Sequence, residues 1–138
     1  MIAMLLAASL ALHPMTEATE RAERRVAEQV ALWNRGDMEG ILQTYCPAAD
    51  VSWVNHGGLS HGYERFASSM REEFGRTAAT MGTLAIDVLE SRDLGAGGSL
   101  VVVRWSVTWG GARLMGGVST QLWAECQGRT RIVFEHAS

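Results

Sequence analysis

Residues 32–58 place a tight reversal, a proline stop and a strand in one short stretch, and this order constrains the fold more than any other feature. The stretch reads LWNRGDMEGILQTYCPAADVSWVNHGG. Gly36 suits the left-handed position after one helix, and Asp37 suits the N-cap of the next. Pro47 cannot continue the second helix, because it lacks an amide hydrogen. The pattern predicts two helices folded back on each other and then a strand at residues 50–55.

Three helices are predicted from apolar residues at three- and four-residue spacing. The first runs from residue 19 to the reversal, and the second runs from residue 38 to Pro47. The third begins near Tyr63 and stops at Gly75, which suits a helix C-terminus. Their apolar faces consist of Ala22, Val26, Val30 and Trp33, then Met38, Ile41, Leu42 and Tyr45, then Phe66, Met70 and Phe74.

The rest of the chain alternates apolar and polar residues, as strands do. Gly110-Gly111 is typical of a hairpin turn, and Gly116-Gly117 indicates a bulge that bends the sheet. The predicted strands cover residues 84–88, 100–109, 113–126 and 131–136.

The alternation also predicts which side chains face the interior. Val103, Trp105 and Val107 form an apolar face on the long strand. Strict alternation on the last strand assigns Ile132, Phe134 and His136 to the concave side. The outer side of the sheet is assigned Ser119, Gln121 and Trp123.

This order of elements predicts an α+β domain in which three N-terminal helices pack on a curved, mostly antiparallel sheet. The helices need an apolar surface to cover, and the concave face of the sheet supplies it. A pocket is expected where the helices do not reach. We assign residues 16–138 to this single domain.

Residues 1–15 begin with an apolar run, MIAMLLAASLALHP, which is too short to span a bilayer. One interpretation is a signal peptide, and the protein would then be secreted or periplasmic. Against it, no basic residue precedes the run and the cleavage site is poor. The other interpretation is that translation starts at Met15, which would leave the protein cytoplasmic.

Charge and cysteine content exclude some classes of function. The net charge is -3, and the 12 basic residues are scattered arginines, so a nucleic-acid footprint is not expected. Cys46 and Cys126 fit no metal-ligand spacing. We interpret them as buried small hydrophobic side chains, and a disulfide between them stays open as the alternative.

Five segments of the sequence form a distinctive set, namely Trp33-Asn34-Arg35-Gly36-Asp37 with Gly40, Asp50-Val51-Ser52-Trp53, Gly62, Val103-Arg104-Trp105 and the ending RIVFEHAS at 131–138. Together with the order of elements, they resemble the nuclear transport factor 2-like superfamily, the cone-shaped fold of ketosteroid isomerases and SnoaL-like polyketide cyclases. The resemblance covers about residues 19 to 138 and implies that fold, while function varies widely among its members.

The best-known reaction of this superfamily can be tested residue by residue. A ketosteroid isomerase needs a tyrosine donor, an aspartate base and a protonated aspartate. Aligned on the reversal, those positions hold Gln29, Trp53 and Thr120 in this chain. The resemblance therefore does not extend to steroid isomerisation.

Two histidines are the candidate catalytic residues, because imidazole exchanges protons near neutral pH. His136 is placed among interior apolar residues, and His56 ends the first strand beside a Gly-Gly loop. The histidines lack metal-ligand spacing, so neither a metal nor another cofactor is expected. The predicted pocket is lined by Trp33, Tyr45, Trp53, Trp105, Trp109, Thr120 and Phe134.

The leading functional hypothesis is a small-molecule-binding domain with isomerase, cyclase or hydrolase-type acid/base activity on an apolar carbonyl compound. The alternative is a noncatalytic ligand-binding or association domain. An open cavity above about 300 Å³ would favour a ligand site, and a collapsed interior would favour association. We also expect a homodimer through the outer face of the sheet and no stable membrane span.

Overall fold

The computed structural model describes residues 14–48 and 50–138, so residues 1–13 of the predicted leader lie outside the described part. The predicted α+β architecture is confirmed. The helices are α1 (Glu17–Asn34), α2 (Met38–Leu42), α3 (Tyr63–Phe74) and α4 (Ala78–Met81). The strands are β1 (Ser52–Asn55), β2 (Gly58–His61), β3 (Thr83–Gly95), β4 (Gly98–Trp109), β5 (Ala112–Cys126) and β6 (Arg129–Ala137).

Two short elements were missed by the sequence analysis, the four-residue helix α4 and the strand β2. The helix count among the described residues is therefore four rather than three. Gly57-Gly58 was expected to end the first strand with no further strand after it. The chain instead turns back there, and β2 pairs antiparallel with β1. Elements of four residues carry too few apolar positions to establish a period.

The six strands form one sheet in the order β2-β1-β6-β5-β4-β3. Neighbouring strands are antiparallel except β1 and β6, which run parallel. β4 pairs with β3 and β5 along most of its length, and the helices cover the side of the sheet that carries Val101, Val103 and Val107. The curved sheet and the helices thereby enclose the interior.

The end of α1 is fixed to the sheet by polar contacts. The indole Nε1 of Trp33 donates to the carbonyl oxygen of Met81 at 3.0 Å. The amide of Asn34 bonds Leu84 in both directions, with Nδ2 donating to its carbonyl at 3.0 Å and Oδ1 accepting from its N–H at 2.7 Å. Because β3 is an edge strand, this amide satisfies backbone groups that would otherwise face solvent.

Replacing Gly36 with alanine is expected to lower the free energy of unfolding by about 3 kcal/mol. Gly36 has φ +75°, and an added Cβ would lie 2.3 Å from the backbone nitrogen of Ala78. Gly97 is the matched control, because its φ is +78° but nothing lies within 4 Å of an added Cβ. Gly97→Ala should cost only the backbone strain, about 1 kcal/mol. Equal losses in chemical denaturation would show that the close approach to Ala78 is unimportant.

A β-bulge in β6 reverses the predicted faces of the last strand. Leu122 pairs with Phe134, but Trp123 pairs with Ile132, so Val133 is the extra residue. An extra residue shifts the alternation by one position. Glu135 consequently turns inward while Phe134 and His136 turn to the outer side, and the prediction that His136 faces the interior is wrong.

The predicted faces of β5 are wrong as well. Val103 pairs with Ser119 and Val101 pairs with Gln121, and directly opposed residues of antiparallel strands share a face. Since Val101 and Val103 are buried in the core, Ser119, Gln121 and Trp123 also point inward, and all three are buried. The outer side instead carries Val118, Thr120, Leu122 and Ala124.

Cys46 and Cys126 form a disulfide with their Cα atoms 5.8 Å apart. The interpretation as two separate hydrophobic side chains is therefore wrong. Tyr45 makes an isolated parallel bridge to Ile132, and the N–H of Cys46 donates to the carbonyl oxygen of Ile132 at 2.8 Å. This pairing holds the segment after α2 against the sheet, within reach of the end of β5.

Candidate functional site

A cavity of about 710 Å³ lies between the concave face of the sheet and the helices. Its volume falls in the range of small-molecule sites. Most of its wall is apolar and comes from α1, α3, β3 and β4. One polar cluster on the wall consists of Tyr45, Gln121 and Glu135, which are joined by hydrogen bonds. The apolar wall residues include Trp33, Ile41, Trp53, Phe66, Met70, Phe74, Leu84, Ile86, Val103, Trp105, Val107 and Met115.

Aromatic contacts stabilise the helix side of this wall. The ring of Phe66 on α3 lies 4.4 Å from that of Tyr45 and 5.1 Å from that of Trp53, measured between centroids. Trp33 and Phe74 meet edge to face at 4.9 Å. Such pairs contribute beyond their buried area and limit rotation of the rings. The wall around the polar cluster is therefore held in a defined shape.

Glu135 is the centre of the polar cluster. The hydroxyl of Tyr45 donates to its Oε1 at 2.7 Å. The amide Nε2 of Gln121 donates to its Oε2 at 2.7 Å. On the other side, Glu135 is paired with Trp53 of β1. One carboxyl group thus lies on the cavity wall with a neutral donor at each oxygen.

Burial raises the pKa of Glu135, and the hydrogen bonds from Tyr45 and Gln121 offset part of that rise. The pKa of Tyr45 is raised well above its usual value, first by burial and then by the neighbouring charge of Glu135. Tyr45 therefore stays protonated and acts as a donor. A carboxyl group with a raised pKa can exchange protons closer to neutral pH than an ordinary glutamate.

The raised pKa of Glu135 predicts how stability changes with pH. An acid whose pKa is higher in the folded state favours folding while it is protonated. That contribution is complete below the unfolded-state pKa and is lost as the pH rises through the folded-state pKa. The melting temperature of the wild type should fall relative to that of Glu135→Gln over this window. Parallel curves of Tm against pH would contradict the raised pKa.

The structure brings together five of the nine predicted site residues. Trp33, Tyr45, Trp53 and Trp105 line the cavity, and His56 lies exposed at its rim. The other four do not line it, namely His136, Trp109, Thr120 and Phe134. His136, Thr120 and Phe134 lie on the outer side of the sheet, and the indole of Trp109 packs at Gly82 and donates to Thr80.

Sequence reasoning missed Glu135 and Gln121 as site residues. One signal was present, since Glu135 is a carboxylate within an apolar strand, between Phe134 and His136. Buried carboxylates are uncommon unless they are paired or functional. Strict alternation had assigned Glu135 to solvent, and only the bulge at Val133 turns it inward.

Over residues 14–48 and 50–138, no group of three or more His, Cys, Asp or Glu side chains is arranged to hold a metal ion. Within the same part of the chain, no helix is long and apolar enough to cross a membrane.

Helices closed over the concave face of a curved sheet, around a largely apolar cavity with the partly buried carboxyl group of Glu135 on its wall, define an α+β domain with an internal cavity. The particular architecture is the nuclear transport factor 2-like fold, as similar solved structures show. No protein-family model matches the sequence, and no curated protein matches it.

Three of these structures illustrate the similarity. A nuclear transport factor 2-like protein of unknown function from Shewanella oneidensis MR-1 has a TM-score of 0.79 at 22% identity, covering 87% of this chain and 98% of its own. A nuclear transport factor 2-like protein from Pseudomonas putida KT2440, also of unknown function, has a TM-score of 0.69 at 15% identity, and the match covers 91% of this chain and 89% of that protein. A protein from Streptomyces avermitilis, proposed to be a dehydratase of this family, has a TM-score of 0.63 at 19% identity, and the match covers 87% of this chain and 94% of that protein.

Proposed function

We propose that this protein is an enzyme that moves a proton at a carbon atom next to a carbonyl group in a small apolar compound, with Glu135 as the acid/base residue. The observation that carries the proposal is the carboxyl of Glu135 on the cavity wall, bonded by Tyr45 and Gln121. Isomerisation and dehydration of carbonyl compounds can both begin with such a proton transfer.

The cavity supports a ligand-binding interior over an association domain. A volume of about 710 Å³ exceeds the roughly 300 Å³ expected of a ligand site, whereas an association domain would fill its interior with its own side chains. The aromatic wall favours an apolar ligand. A relative from Streptomyces avermitilis that is proposed to be a dehydratase is consistent with chemistry of this kind.

The chemical step requires the ionised form of Glu135. A carboxylate oxygen takes the proton from the carbon next to the carbonyl, and the electron pair of that C–H bond moves into the enolate. The protonated Glu135 then returns the proton to the same or a conjugated carbon. Tyr45 and Gln121 keep the carboxyl oriented through both steps, since each bonds one of its oxygens.

Hydrogen–deuterium exchange at carbon tests this function without knowledge of the natural substrate. Apolar ketones that quench the tryptophan fluorescence of the protein are incubated with it in D₂O. Mass spectrometry should find deuterium at the carbon next to the carbonyl for at least one bound ketone. If every bound ketone exchanges no faster than with Glu135→Gln, the proposal fails.

We further propose that the protein acts as a homodimer through the outer face of the sheet. Val118 is exposed on that face, and Leu122 and Phe134 are only partly buried there. Apolar side chains on an exposed sheet face are typical of an interface. Light scattering should give twice the chain mass at micromolar concentration, and Val118→Glu should give the monomer. A wild-type monomer at every concentration would contradict the dimer.

We also propose export to an oxidising compartment, as the signal-peptide interpretation of residues 1–15 suggests. The disulfide supports it, because such bonds persist mainly outside the cytosol. N-terminal sequencing of the native protein should find a first residue beyond Met15, and a start at Met1 or Met15 would contradict export.

A further inference from the structure

Gln121 is held between Glu135 and a buried tryptophan. The indole Nε1 of Trp123 donates to Oε1 of Gln121 at 3.1 Å, while Nε2 of Gln121 donates to Glu135. Trp123 is 1% exposed and Gln121 is 3% exposed, so the hydrogen bond between these two side chains is buried. The two residues lie two positions apart on β5 and point to the same side of the sheet.

The donor and acceptor roles in these two hydrogen bonds follow from the chemistry of the Trp123 indole. An indole N–H can only donate a hydrogen bond, whereas a primary amide has a donating and an accepting end. Trp123 therefore fixes the carbonyl end of Gln121 towards itself and the NH₂ end towards the carboxyl. A donated N–H stabilises the ionised carboxylate, whereas a carbonyl oxygen in the same place would stabilise the protonated acid.

We propose that Trp123 is a positioning residue that controls the ionisation of Glu135 through the orientation of Gln121. Without the indole donor, the Gln121 amide is free to rotate and present its oxygen to Glu135, which then holds its proton more tightly. The consequence for turnover rests on the proposed function. The effect on ionisation is a property of the free protein and does not depend on that function.

Other groups around the carboxyl are accounted for. Tyr45, from the segment after α2, bonds the second oxygen and stays protonated because its pKa is raised well above its usual value, chiefly by burial. Trp53 on the neighbouring strand has no titratable group. His56 on the β1–β2 turn and Glu73 on α3 are the remaining titratable side chains among the described cavity residues.

The test is the pKa of Glu135, measured by ¹³C NMR of the glutamate carboxyl carbon in the absence of ligand. Trp123→Phe should raise this pKa by about one unit, which corresponds to the loss of one well-placed hydrogen bond. Trp109→Phe is the matched control, because it removes an indole donor to a backbone carbonyl, at 3.0 Å, away from the cavity. It should leave the pKa of Glu135 unchanged.

A double-mutant cycle separates action through Gln121 from a general packing effect. Gln121→Met removes the amide and should itself raise the pKa of Glu135. Adding Trp123→Phe to Gln121→Met should then change nothing further. The proposal is overturned if Trp123→Phe gives the same shift in both backgrounds, or gives no shift in either.

If Trp123→Phe does not fold, the wild type decides the question. The ¹H–¹⁵N resonance of the Trp123 indole should move with pH and follow the titration of Glu135, whereas that of Trp109 should not. If the Trp123 resonance does not shift as Glu135 titrates, the inference is overturned. A protein with the expected shifts but no proton exchange on any ketone would overturn only the proposed function.

Discussion

Glu135→Gln is expected to lower kcat by about 100- to 10,000-fold, the range over which a general acid or base contributes. The substitution keeps the size and polarity of the side chain but removes its ability to take a proton. Ligand affinity should change only a few-fold, since the aromatic wall supplies most of the contact surface. The deuterium-exchange assay measures kcat, and tryptophan quenching measures the dissociation constant.

His136→Ala is the matched control for this experiment. His136 is the next residue on β6, but it is exposed on the outer side of the sheet and does not line the cavity. Its removal should leave kcat within about two-fold of the wild type, because general acid–base catalysis needs hydrogen-bond reach of the substrate. A fall in kcat for His136→Ala that matches that of Glu135→Gln would mean that the acid/base assignment is wrong.

Removing the disulfide with Cys46→Ala and Cys126→Ala is expected to lower the free energy of unfolding by about 4 kcal/mol. The two cysteines are 80 residues apart, so the crosslink closes a long loop and strongly restricts the unfolded chain. Guanidinium denaturation of the double variant and the oxidised wild type measures the difference.

Reducing agent supplies the control for the disulfide. It should lower the denaturation midpoint of the wild type towards that of the double variant, and it should leave the double variant unaffected. A wild type with the same midpoint before and after reduction would contradict a stabilising crosslink. Because Cys46 directly follows Tyr45, the reduced protein is also expected to bind cavity ligands more weakly.

Much of the fold could be predicted because its signals are local. Gly36 and Asp37 mark the reversal between α1 and α2 through their own conformational preferences. The spacing of Phe66, Met70 and Phe74 predicts α3 from four-residue periodicity alone. Neither signal needs a distant partner, so neither depends on how the elements later pack.

The candidate site was harder to predict because it depends on which alternate side chains of each strand face the interior. Val133 is an extra residue in β6 that has no partner in β5. Because of this bulge, Glu135 faces the interior and His136 faces the outer side of the sheet. Predicting that Gln121 faces the interior requires the register between β4 and β5, which depends on residues about 20 positions apart. An alternating pattern indicates two faces, but it does not by itself say which of them is buried.

By itself, the sequence determined the order of helices and strands, the apolar faces of the helices and the aromatic content of the interior. These properties depend on neighbouring residues and on residue type. Only the tertiary structure decided that Glu135 faces the cavity, that Tyr45 and Gln121 bond it, and that Cys46 reaches Cys126. Each of these contacts joins segments far apart in the chain, and strand register and bulges, which are settled only when the sheet assembles, decide which side chains meet.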